Sequence, residues 1–456
     1  MPLRGRVGRH ATTGAQCQNW ADDQQTVIAL LNLIPAADGG ASASIAGRVV
    51  SGVSSDSLYK AILRFQEQHF PKQKSGFVDP GGAVLARLEQ LAARPAPAPT
   101  PPPKTGPWGE FKSGSVPRAL AKAVAVDHSL DHTEAVEILR ATLVNGTVST
   151  SELDDLDMVA EKSNTIADRP KAMLKLFVDQ ARSKITKYGP YKLPSAVHVF
   201  ASGMVCDFLR RRGNGYWPHL DRDEVGIGLL LRLAKPSLLR QGDANLCGPA
   251  AYLFNLLLDQ PGEYTKYALD MYENGAAKIH RFLIKPSGAL RSYALPAGAT
   301  DPVDWLTMSS LRNSEDWFIH FDSTDGTLSG ATTQMEMAWW FDQAGYTDIR
   351  EDANLTRHQR DTSNMDEASR LYSAGYRVCL LIDDPMLYAS KQTKSGSVVL
   401  RDRHWVVLRS KIDRSGGNVK MNIFTWGDGD YKVPQGDPLT VGQFLENYYG
   451  YVAAKP

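Results

Sequence analysis

Apolar residues recur at helical spacing in DDQQTVIALLNLI and SSDSLYKAILRFQEQHF, near the start of the chain. The spacing predicts two helices, the first opening on acidic residues that favour the positive end of its dipole. KSGFVDPGGAVLARLEQLA then reads as a DPGG turn feeding a third, shorter helix. From residue 111 to about 215 the pattern stays helical, as in VPRALAKAVAV, TEAVEILRATLV, SELDDLDMVAEKSN and PKAMLKLFVDQARSKI. Thr147 to Glu152 reads as a helix cap ahead of a solvated acidic face.

The texture changes from about residue 216. Helical stretches such as AAYLFNLLLDQ and QMEMAWWFDQAGY come first, followed by strand runs in YRVCLLID, GSVVL, RHWVVLRSKI and NVKMNIFTW. DRSGGN marks a turn between the last two. Helices first and an antiparallel sheet last predict an α+β fold for residues 216–456, with an all-α three-helix module and a helical middle region before it.

Residues 94–107, RPAPAPTPPPKTGP, hold seven prolines in fourteen positions and do not suit a helix or a central strand. The stretch reads as an extended spacer over residues 94–110. It separates an N-terminal module, residues 1–93, from a helical accessory region, residues 111–215, and the C-terminal domain.

Composition adds limits. The formal net charge is +1, so no long-range field gathers phosphate or anionic lipid, and nucleic acid is not an expected partner. No apolar run has the length of a secretory signal core or a membrane span. The chain is expected to be made in the cytoplasm, without membrane insertion, and to leave by another route if it leaves. Cys17, Cys206, Cys247 and Cys379 form no CxxC pair, so neither a disulfide framework nor a zinc site is expected. No cofactor is implied.

Cys247 stands apart from the other three. It opens a helix at CGPAAYLFNLLL, and a helix N-terminus stabilises thiolate through unpaired N–H groups and the dipole. Gln241 lies six residues upstream, close enough for its amide to converge with the Cys247 N–H as an oxyanion hole. His404 is the histidine lying on a core strand, where a base is needed. Cys206 and Cys379, in GMVCDFL and RVCLLI, read as small buried hydrophobes. His198, His280 and His320 read as half-buried or satisfied histidines.

Two resemblances follow from these motifs. VIALLN, AILRFQEQHF and GFVDPGG, within residues 20–93, resemble a peptidoglycan-binding-like domain of secretion-associated bacterial proteins, although RVVSGVSSDS replaces the usual central DGxxG segment. QGDANLC resembles the QGxxxxC element of papain-like cysteine peptidases, and His404 follows Cys247 by 157 residues in the expected order. CGPAA with PVDWLTMSSLRNSEDW resembles the papain-like domains of bacterial toxins and effectors. The resemblance implies Cys247 as nucleophile, His404 as base, Gln241 in the oxyanion hole, and Gly248, Trp405 and Trp426 on the substrate side. The family places Asn before the tryptophan that stands here as Trp426, whereas this chain has Phe424 and Thr425. Asp428 is favoured as the residue orienting His404, with Thr425 and Asn422 as alternatives.

What the resemblance implies is a secreted effector or toxin that cleaves amide bonds in a protein or peptide substrate. It would be delivered by a type VI-like apparatus and neutralised in the producer by an immunity protein. Cleavage of peptidoglycan cross-links, deamidation or acyl transfer on protein glutamine, and a catalytically inactive adaptor stay open at this stage.

Overall fold

The computed structural model describes the chain apart from residues 1–2, 35–37, 42–44, 46–48, 94–104, 107–108, 125–128, 163–167, 243, 315–331, 354–357, 388–402 and 426–429. The secondary structure is mixed helix and sheet, the α+β class the patterns predict. The chain folds into two compact units. One comprises residues 1–212 with 229–234 and 260–265, and the other residues 213–228, 235–259 and 266–456.

The first unit contains α1 (Ala21–Leu33), α2 (Asp56–His69), α3 (Ala83–Ala92), α4 (Ser115–Ala123), α5 (His132–Leu143), α6 (Thr150–Lys162), α7 (Asp168–Lys184) and α8 (Ala196–Leu209). The N-terminal three helices fall where the spacing predicts them, and α2 starts where the Ser55 side chain accepts the Leu58 N–H. The start of α6 is a reciprocal cap: Ser149 Oγ accepts the Glu152 N–H and Glu152 returns a carboxylate oxygen to the Ser149 N–H.

Packing at the N-terminal core draws on residues from beyond the proline-rich stretch. Val27, Leu31, Leu58, Phe65 and Leu88 close the N-terminal core, and Ala196 and Phe200 of α8 pack against it. Apolar residues on α8 cover surface that three short helices leave open, which the local pattern does not reveal. Residues 94–104 of the expected spacer lie outside the described residues, and Thr105–Gly106 pairs antiparallel with Gly109–Glu110.

The second unit is built on six antiparallel strands: β1 (Thr347–Ala353), β2 (Arg377–Asp383), β3 (Arg403–Leu408), β4 (Met421–Phe424), β5 (Asp430–Val433) and β6 (Tyr448–Lys455), in the order β5-β4-β3-β2-β6-β1. β2, β3 and β4 are the runs predicted from apolar pattern. GSVVL lies outside the described residues.

Helices cover the central strands on both sides. On one side Val378, Leu380, Ile382, Val406 and Leu408 form a core with Met365, Ala368 and Leu371 of α11 (Ser363–Ser373), reached along the chain after α9 (Cys247–Asp259) and α10 (Gln334–Gln343). On the other side α9 packs through Phe254, stacked on Phe424 at 3.8 Å, and Asn255, whose Nδ2 lies 3.4 Å from the Cys379 sulfur. Its C-terminal Asp259 accepts from Arg377 Nε at 2.9 Å and from the Tyr346 hydroxyl at 2.9 Å. This nearly dry, charge-assisted clamp fixes α9 along the sheet and thereby fixes its other end, Cys247.

Candidate active site

Cys247 is the first residue of α9, and the helix ladder begins with Ala250 N–H donating to the Leu246 carbonyl at 2.8 Å. Pro249 has no N–H to leave orphaned in this first turn. Every residue from Gly248 to Leu257 is buried, so the helix is anchored along its length and its half-buried first residue is held in place. The N–H groups of Trp405, Gly248 and Cys247 itself are aimed at the sulfur. Burial nevertheless raises the thiol above its ordinary value, and those donors with the charge of Arg312 pull in the opposite direction.

The Trp405 contact joins two places far apart in sequence. It brings the helix-opening cysteine to β3 at the residue next to His404. Register puts His404 opposite Ile382 and Trp405 opposite Leu381, so the two side chains leave β3 on opposite sides. His404 is 4% exposed, and its Nε2 lies 2.7 Å from the Thr425 hydroxyl, which is 1% exposed. Burial pushes the imidazole down to about 3. At neutral pH the cysteine and the histidine are therefore both uncharged.

The three candidates for the orienting residue separate clearly. Thr425 is the one bonded to His404. Asn422 lies on β4, and its carbonyl accepts the Arg409 N–H at 2.8 Å. That places it beside a position five residues along β3 from His404, about 17 Å at the usual strand rise. Asp428 and Trp426 lie outside the described residues.

The loop carrying Gln241 is pinned from below. The Arg240 N–H donates to the Asp304 carboxylate at 2.8 Å, and the Thr300 hydroxyl donates to the Arg240 carbonyl at 2.7 Å. Gly242 has φ +65°, and a Cβ there would come 2.1 Å from the Ala299 carbonyl oxygen, so this turn requires glycine. Gln241 itself is half-buried, and its side-chain oxygen is buried without a hydrogen-bond partner.

Gly248 and Trp405 have structural contacts of their own. The Trp405 indole, 2% exposed, donates to the Thr332 carbonyl at 2.7 Å. Thr332 in turn packs on Gly248, where a Cβ would come 2.0 Å from its hydroxyl. Both side positions are occupied by the protein itself rather than by an open cleft wall.

Sequence reasoning did not single out Asp304, Arg312 or Thr332. Asp304 and Arg312 lie within PVDWLTMSSLRNSEDW, a helical stretch from Pro302 to Ser314 with a π turn at Trp305–Ser309. Both are buried charged residues, at 0% and 3% exposure. The signal available in sequence was the presence of two charges at positions a helical pattern places among apolar ones.

Cys206 and Cys379 are fully buried, and burial raises the Cys206 thiol to about 12. His198 Nδ1 lies 2.9 Å from the Ser195 hydroxyl, and His320 is outside the described residues. Among the described residues no helix is long and apolar enough to cross a membrane. Comparison of the chain with protein-family models, curated proteins and solved structures found no match.

Proposed function

We propose that residues 216–456 form a papain-like thiol hydrolase that cleaves amide bonds in a protein or peptide, within a secreted bacterial effector. The observation that carries this reading is the Trp405 N–H held against the Cys247 sulfur at the start of a buried helix, with His404, bonded to Thr425, as the preceding residue of the same strand. A cysteine kept only for packing needs no such set of helix-start donors.

In this mechanism the His404 Nε2–H donates to Thr425, which leaves the Nδ1 lone pair as proton acceptor; because His404 leaves β3 on the side away from α9, the thiol proton travels to it by way of a water rather than directly. Because both groups are neutral at rest, proton transfer accompanies attack of the sulfur on the acyl carbon. The Cys247 N–H and the Gln241 amide receive the developing oxyanion. His404 then returns the proton to the leaving amine, and water hydrolyses the thioester. Asp304 contributes by holding the Gln241 loop.

Delivery by a type VI-like apparatus, a small immunity protein over the cleft and the toxin role belong to the same proposal, supported by the QGDANLC and DPGG motifs. The test is killing of bacteria by the full chain, wild type against Cys247→Ala, expressed in the cytosol and with a periplasmic signal. Cysteine-dependent killing from the cytosol supports an intracellular protein target. Killing only from the periplasm moves the target to peptidoglycan, and equal killing by both forms removes the nucleophile from the account.

A further inference from the structure

Arg312 belongs to no part of the mechanism above, yet it is a guanidinium buried to 3% exposure in the same unit as Cys247. Its Nη1 lies 3.8 Å from a Glu336 carboxylate oxygen. Glu336 is fixed in turn: it accepts the Thr333 N–H at 2.6 Å while its own N–H donates to the Thr333 hydroxyl at 3.2 Å, the reciprocal cap that starts α10. The preceding residue, Thr332, packs on Gly248 and takes the Trp405 indole N–H. One short segment, Thr332 to Glu336, therefore touches the residue after the nucleophile, the residue after the base, and the buried arginine.

We propose that Arg312 is a positioning residue whose buried charge holds negative charge on the Cys247 sulfur during attack, and that Glu336 moderates it. The inference rests on the thiol-hydrolase reading. The physical need is plain: the site is dry enough to raise the thiol, so the thiolate formed during attack requires a cation that is not itself a proton donor. Arginine meets that need because it stays charged in a buried setting.

Among the described residues the charged group acting on Cys247 is Arg312 from the 302–314 helical stretch, with Glu336 from α10 beside it, whereas His404 leaves β3 on the side away from α9. The first charged residue on α9 itself is Asp259, at its far end. Opposite-sign changes at the first two should therefore move the sulfur in opposite directions.

The experiment is the pH profile of Cys247 alkylation by iodoacetamide in the full chain, resolved by peptide mass spectrometry. Arg312→Gln should raise the apparent midpoint by about one pH unit, and Glu336→Gln should lower it by about half a unit. Glutamine preserves the helix cap at position 336, so that variant reports charge rather than folding. If Arg312→Gln fails to fold, the downward shift in Glu336→Gln carries the test alone. Profiles unshifted in both charge variants, or shifted in the same direction, overturn the inference. His404→Ala separates the two levels: an alkylation rate indifferent to His404 refutes the hydrolase reading, whereas intact His404 dependence with unshifted charge variants refutes only the role of Arg312.

Discussion

Thr425→Val removes one hydroxyl from a buried position while keeping the side chain's branching. In the native protein that hydroxyl lies 2.7 Å from His404 Nε2, and both residues are almost wholly inaccessible to water. No solvent replaces the lost partner, so the imidazole N–H is left orphaned, at a cost of about 2 kcal/mol. Thr425→Ser keeps the hydroxyl and loses one methyl, at a cost of about 1 kcal/mol. The assay is urea unfolding of the full chain followed by tryptophan fluorescence. Of its nine tryptophans only Trp20 and Trp108 lie outside the second unit, so the signal reports mainly the unit that holds the site. The valine variant should unfold at lower urea with an unchanged slope, and Cys247 alkylation should slow with it. Serine should restore alkylation. A valine variant within about 0.5 kcal/mol of wild type would refute the claim that this hydrogen bond orients a buried imidazole.

Two further outcomes follow from the site. The folded pKa of His404, about 3, lies below the ordinary histidine value, so the unfolded chain binds more protons between those limits. Stability is complete above about pH 6.5 and falls as pH drops, by about 2 kcal/mol at pH 5, which urea titrations at the two pH values would measure. Gly248→Ala puts a Cβ 2.3 Å from the Thr332 Cβ, a collision with a branched carbon rather than a mobile tip. It should destabilise by about 1–3 kcal/mol in the same assay and lower Cys247 alkylation by displacing the helix start.

How much was legible in the sequence depends on where each signal lives. The helices α1, α2 and α9 and the strands β2, β3 and β4 carry strong local periodicity, and they appear where that pattern places them. β1, TDIREDA, is mostly charged and exposed and pairs as an edge through its backbone, so no apolar pattern announces it. β6, YYGYVAAK, is buried on both faces and carries Gly450 at φ +124°, where a Cβ would meet the Asp352 carbonyl at 1.8 Å. Continuous burial erases the alternation by which a strand is recognised, and an internal glycine reads as a turn.

The site shows the same division. Cys247 was legible because helix-start chemistry is local, and His404 because a histidine on an apolar strand is unusual. Thr425 was weighed below Asp428 because a carboxylate is the stronger partner for an imidazolium. In this structure burial keeps His404 neutral, and a neutral ring is satisfied by a hydroxyl. Asp304 reaches the Arg240 N–H across 64 residues, a contact that no spacing rule anticipates.

The measurement that bears most directly on the central claim is the rate of Cys247 modification by iodoacetamide at neutral pH, in wild type and His404→Ala. Cys17, half-buried and remote in sequence, serves as the internal reference. The account predicts that loss of His404 slows Cys247 by at least about tenfold and leaves Cys17 unchanged. Equal rates at Cys247 in the two proteins would contradict it.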